Sequence, residues 1–148
     1  MSDPGQGRFE VEYTPTDDLL RLQFGGRLTL DLMNRGQDTA NGLTAVTAQT
    51  RVLIVCVDVE LDEIDIHTLT DHQAYKASKR YPTHRTALVV GDKPGHRALA
   101  ELWAVTRDGG KAGGAGVFSN EVSATEWLLS GHYAEHPHKF VNENIIPL

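Results

Sequence analysis

Apolar and polar side chains alternate in Phe9-Glu-Val-Glu-Tyr13 and again in Leu20-Arg-Leu-Gln-Phe24, the period of a strand with one buried face. Thr14-Pro-Thr-Asp-Asp18 between them supplies turn chemistry, so the two runs predict a β-hairpin with one wet face. Past Gly25-Gly26 the period lengthens. Met33, Gly36, Ala40 and Leu43 recur at spacings of three and four, the inward face of a helix for which Thr29 is the expected N-cap. A glycine inside a helix costs about 1 kcal/mol relative to alanine. Gly36 and Gly42 are therefore expected to mark close packing against a strand.

Alternation then disappears. Arg51-Val-Leu-Ile-Val-Cys-Val57 holds six apolar residues in succession and predicts a central strand running to Val59, buried on both faces and covered by a layer on each side. An acidic loop, Asp58 to Asp65, leads to a helical stretch from Thr68 to Tyr81 that Pro82 stops. The unit repeats: strand Thr86–Val90, the turn Gly91-Asp-Lys-Pro-Gly95, and a helix with Ala98, Leu99, Leu102, Trp103 and Val105 as its apolar face. A short strand, Gly116–Phe118, and a capped helix from Ser119 through Trp127 to Gly131 complete a third unit. The order is ββαβαβαβα. It predicts a single α/β domain in which an N-terminal β-hairpin joins a central mixed sheet with three parallel strands and about four helices. Residues 1–8 read as a disordered N-terminus, 9–130 as the domain, and 131–148 as a C-terminal tail.

Composition narrows the function classes. At 148 residues with 40% apolar and 23% charged side chains, the chain can bury a core without a disulfide or a metal, and Cys56, its one cysteine, reads as a buried small hydrophobe. No apolar run approaches the length of a membrane span and no leader precedes the domain, so a cytoplasmic setting is expected. The net charge of −6 argues against a nucleic-acid backbone as partner. Charge is uneven, with 5 bases against 12 acids in residues 1–66 and 8 against 4 in residues 67–111. A bipolar surface of this kind suits an acidic protein partner or self-association.

The hairpin, the Gly26-Arg-Leu-Thr29 entry to a helix, the strand ending at Asp58, the Gly91-Asp92 turn and the closing Glu126-Trp-Leu-Leu129 together resemble the STAS/SpoIIAA-like domains. That superfamily includes sporulation anti-sigma-factor antagonists and shares its topology with the lipid-binding CRAL-TRIO domains. The resemblance covers about residues 9–130 and implies a regulatory or protein-interaction module. It also implies a phosphorylatable Ser or Thr at the start of the helix after the central strand. Thr68 takes that place here and Thr70 is the next match, in Asp65-Ile-His-Thr-Leu-Thr70, without the Asp-Ser and Gly-Leu flanks of the family motif. A phosphate there would gain the positive end of the helix dipole, but Asp58, Glu60, Asp62, Glu63 and Asp65 would oppose it, so Thr68 reads first as an N-cap.

Parallel strands bring the loops after Val57, Val90 and Phe118 to one sheet edge, where α/β proteins place ligands. Asp58, Glu60, Lys93, His96 and Arg97 are the expected anion- or partner-binding edge, with the Gly91–Gly95 turn opening a helix. The Gly109–Gly116 run leads out of a helix into a strand, the wrong order for a phosphate loop. His132, His136 and His138 are interrupted by Pro137 and predict no metal site, and no nucleophile–base pattern predicts an enzyme or a cofactor. In the tail, Phe140, Val141, Ile145 and Ile146 are expected to meet either their own domain or a second copy in a homodimer. The leading expectation is a non-catalytic interaction module. The alternative is a carrier of a small apolar molecule or lipid in a cavity between helix and sheet, opened by Gly36 and Gly42.

Overall fold

The computed structural model describes residues 6–47, 50–77, 85–107 and 115–130. Strand β1 (Arg8–Thr14) turns through a tight loop into β2 (Leu19–Arg27), and the two pair antiparallel in the expected hairpin. Asp18 adopts a positive φ of 49° and anchors the turn, accepting hydrogen bonds from Tyr13 Oη at 2.7 Å and Thr50 Oγ1 at 2.8 Å. The hairpin is thereby tied to the start of β3 (Arg51–Glu60) without the help of a helix.

Helix α1 (Leu30–Asn41) carries the chain from β2 to β3. Thr29 is its N-cap, accepting from Leu32 N at 3.1 Å, and Leu32, Met33, Gly36 and Ala40 are buried. A crossover of this kind makes the strands it joins parallel. β2 and β3 accordingly pair in parallel, as do β3 with β4 (Thr86–Val90) and β4 with β5 (Ala115–Phe118). The sheet, in spatial order β1-β2-β3-β4-β5, therefore has four parallel strands where the sequence pattern counted three. The fourth is β2, which is at once the antiparallel partner of β1 and the parallel partner of β3.

Right-handed crossovers that all step the same way along a sheet deposit their helices on one face. α1, α2 (Ile66–Ala77) and α3 (His96–Arg107) form that layer, each packed on the next, and α4 (Glu121–Ser130) returns across β3, β4 and β5 on the other face. The two-sided burial expected of the central strand follows. Leu53 and Val55 meet Phe118, Ala124 and Leu128 beneath α4, while Cys56 and Val59 join the core under the three helices. Cys56 and Val59 share a face although they are three apart, because the β2–β3 register slips by one residue between Gln23 and Gly25. The slip turns Val57 out to 43% exposure.

Other expected faces need correction. α2 begins two residues earlier than predicted, and its predicted end at Tyr81 lies outside the described residues. α3 buries His96, Ala100, Trp103 and Ala104, with Ala98 exposed and Leu99 and Leu102 half-buried, so its inward stripe is rotated toward the helix start. α4 is capped by Asn120, whose Oδ1 accepts from Ser123 N at 2.8 Å, and is tied to β2 by a bidentate Arg21–Glu121 pair at 2.8 and 2.9 Å. The tail residues Phe140, Val141, Ile145 and Ile146, the histidines at 132, 136 and 138, and the glycines from 109 to 114 lie outside the described residues.

Gly36 is where α1 meets the sheet most closely. A Cβ there would stand 2.9 Å from Phe24 Cζ, so the glycine admits the Phe24 ring. Gly36→Ala is expected to destabilise by about 1 kcal/mol in urea unfolding, steric cost outweighing the propensity gain. In a Phe24→Leu background the same change should become neutral or stabilising. Equal effects in the two backgrounds would refute the packing argument.

Candidate functional site

Beneath the three helices the packing is incomplete. Toward the carboxyl ends of the parallel strands lies an apolar cavity of about 70 Å³. Leu22 and Phe24 of β2, Ile54 and Cys56 of β3, and Leu88 and Val90 of β4 form its floor. Its roof comes from the N-terminal two thirds of the helices: Met33 and Gln37 of α1, Leu69 and His72 of α2, and His96, Leu99, Ala100 and Trp103 of α3. Leu28, Leu61 and Ile64, from the loops after β2 and β3, close the end. The parallel arrangement dictates this location, since every crossover helix starts at the same sheet edge.

Gly36 and Gly42 do not open this space. Gly36 is occupied against Phe24, and Gly42 follows α1 as its C-cap with φ −78°. Ala100, with a side chain of a single carbon, lines the space together with Cys56 and Val90. A second, open groove of about 420 Å³ runs outside the domain between Leu61-Asp62 and the Pro94–Leu102 stretch. Leu61, His96 and Leu99 belong to both spaces and form the wall between them.

Polar groups in the cavity wall are few. Gln37 Nε2 donates to Asn41 Oδ1 at 3.0 Å, and His72 Nδ1 lies 2.8 Å from Asn34 Oδ1. His96 is different. Only 7% of it is exposed, its main-chain N–H is held by Lys93 O at 3.1 Å, and its buried Nδ1 has no hydrogen-bond partner among the described residues. Burial first, and the positive charge of Lys93 second, hold the ring below the ordinary imidazole value of 6.5. Burial alone pushes the Cys56 thiol up to about 12, which removes it as a nucleophile at neutral pH.

The predicted charged edge does not assemble as one cluster. Lys93 Nζ reaches back to Val59 O at 3.3 Å, which brings the Gly91–Gly95 turn to the end of β3. Arg97 stays on its own helix with Nε 4.0 Å from Glu101. Asp58 lies beside Arg8, Glu10 and Gln23 at the ends of the hairpin strands, and Glu60 is exposed with its carbonyl accepting from Leu28 N at 3.0 Å. Of the five, His96 alone lines the cavity.

Thr68 is not the first cap of α2. Asp65 caps the helix, its Oδ1 accepting from Thr68 N at 2.9 Å, and Thr68 Oγ1 closes the box with Asp65 N at 3.3 Å and Asp65 Oδ1 at 3.0 Å. These hydrogen bonds hold the Asp65 carboxyl below its usual range. Thr70 Oγ1 donates to Ile66 O at 2.8 Å, one turn back on the same helix.

Sequence reasoning missed Gln37 and His72 as wall residues. His72 stands three positions after the buried Leu69, a spacing that could have placed it inward. Among the described residues no group of three His, Cys, Asp or Glu side chains could hold a metal ion, and no helix is long and apolar enough to cross a membrane. No protein-family model matches the chain, and neither a curated protein nor a solved structure does.

Two outcomes follow from the buried groups. A base whose folded value is depressed is neutral in both states at high pH, and its unfolded form gains the proton first as pH falls. The contribution of His96 is thus complete above 6.5 and is lost as pH falls from there toward its lower folded value. The urea midpoint of the wild type should fall faster below that pH than that of His96→Gln, and a constant difference between the two would refute the assignment. Cys56 should resist a thiol-specific alkylating reagent at pH 8 in the native state and react fully in denaturant. Native labelling at the denatured rate would show the thiol to be accessible.

Proposed function

We propose that this chain is a binding module that holds a small, mainly apolar ligand between the α1–α3 layer and the sheet. The observation that carries the reading is the cavity itself: about 70 Å³, walled by leucine, isoleucine, valine, phenylalanine, methionine and tryptophan, at the strand edge where α/β folds collect ligands. The outer groove shares Leu61, His96 and Leu99 with it, which is where a ligand would enter. With the Cys56 thiol held protonated and no nucleophile–base pair in the wall, binding rather than turnover is the chemistry the site supports.

A second reading, a STAS-like regulatory or protein-interaction module, draws support from the element order and from two exposed apolar side chains near the same sheet edge. These are Val57 at 43% and Ile66 at 41% exposure. The two readings are compatible, since a ligand under α2 would bear on the helix that carries Thr68.

Xenon tests the first reading, being apolar, uncharged and small enough for engineered cavities of about 150 Å³ and below. Under xenon pressure, methyl resonances of Leu22, Ile54, Leu88, Val90 and Leu99 should shift in a saturable way, while those under α4, such as Leu53 and Leu128, should not. Ala100→Leu should abolish the response. Because it fills a void, it should leave stability unchanged or raise it by about 1 kcal/mol. Absence of a selective xenon response, or a loss of more than about 2 kcal/mol through overpacking, would refute the cavity as a binding space.

A further inference from the structure

Among the described residues, the unsatisfied polar group of the cavity wall lies at its boundary with solvent. His96 is the first residue of α3, lines both the cavity and the outer groove, and carries a buried Nδ1 without a partner among the described residues. A buried hydrogen-bonding atom left unpaired costs about 1–3 kcal/mol, and native interiors seldom leave one so. The surroundings favour a negative partner. Lys93 is the charge that acts on the imidazole, and α3 begins here with no acidic residue in its first turn, so the positive end of its dipole is not neutralised. Gly95, immediately before, has φ +82°, and a Cβ on it would meet nothing within 4 Å, so the main chain at the helix start is open to an approaching group. Asp62 on the facing wall of the groove is the opposing charge.

Resting on the reading of the cavity as a ligand site, we propose that the ligand is a short-chain monocarboxylic acid. Its apolar tail lies under α2 and α3, and its carboxylate meets His96 at the start of α3. The cavity has about half the volume of one that holds benzene, which gives room for roughly three carbons, with the head group in the wall shared with the groove. Lys93 supplies the counter-charge. His96 supplies direction, because one ring nitrogen can donate to a carboxylate oxygen from a side chain that, with Leu61 and Leu99, lines both the cavity and the groove.

The test is a titration of the full chain with sodium butyrate and, separately, 1-butanol, followed by the same methyl resonances and by those of His96. Butyrate should bind at least tenfold more tightly than the alcohol of equal chain length. His96→Leu should weaken butyrate at least tenfold while changing 1-butanol and xenon responses less than threefold. Lys93→Gln, at an exposed position, should weaken butyrate severalfold and serves if His96→Leu fails to fold. Equal affinity for acid and alcohol, or butyrate binding indifferent to the substitution that folds, would overturn the carboxylate assignment while a xenon response kept the cavity reading. A wild-type protein that answers none of the three probes would remove both.

Discussion

The width of a helix against the width of a strand governs this molecule. Strands in a sheet lie about 4.8 Å apart, whereas packed helices need 8–10 Å between axes. Crossovers that all step the same way put α1, α2 and α3 side by side over a sheet too narrow for them. α1 sits on β1 and β2, and α3 on β4 and β5, positions roughly 14 Å apart. Reaching from one to the other through α2 takes about 16–20 Å. The middle helix must rise, and α2 is packed on α1 and α3 rather than on the strands. Leu69 and His72 reach down from it, and the cavity is the space their reach does not fill.

The other face has no such conflict. Among the described residues α4 covers β3 to β5, and Phe118, Ala124, Leu128, Val89 and Leu53 close together with Trp127 against the Phe118 ring at 5.5 Å between centroids. One helix crossing three strands can settle to its preferred depth. The asymmetry between a closely packed face and a partly empty one is thus a product of topology, before any side chain is chosen for function. Side chains then modulate it, and Ala100 is one case: an alanine in the cavity wall leaves space that a larger residue would occupy.

Much of the architecture was legible because its signals are local. The hairpin alternation, the Thr29 cap, the apolar runs of β3 and β4 and the glycine at 36 each act within a few residues or against one neighbour. What escaped depends on pairing across the sheet. The parallel partnership of β2 with β3 is set by a crossover, and the register slip that places Cys56 and Val59 on one face leaves no mark in an unbroken apolar run. At the site, His96 could be picked out by its position after the Gly91–Gly95 turn, but its apparent company was charged. A polar residue at a helix start reads as solvent-facing unless the rotation of the helix is known, and the inward stripe of α3 turned out to begin with that histidine. The glycine spacing on α1 suggests room for a ligand, but Gly36 admits the Phe24 ring and Gly42 ends the helix.

A void and a buried nitrogen with no partner among the described residues are both costs to a folded chain, and here both are found at His96. At about 24 cal/mol per Å³ a cavity of this size forfeits nearly 2 kcal/mol, and the buried Nδ1 adds a further penalty of about 1–3 kcal/mol. Either could be relieved alone: the void by a larger residue at position 100, the nitrogen by a hydrogen-bonding neighbour in place of Leu61 or Leu99. Neither remedy is present, and the two deficits adjoin at His96 in such a way that one molecule with an apolar end and an oxygen at the other relieves both. Against a typical stability of 5–15 kcal/mol, that pair is a substantial fraction, and its location at the carboxyl edge of four parallel strands is where the topology collects open helix starts.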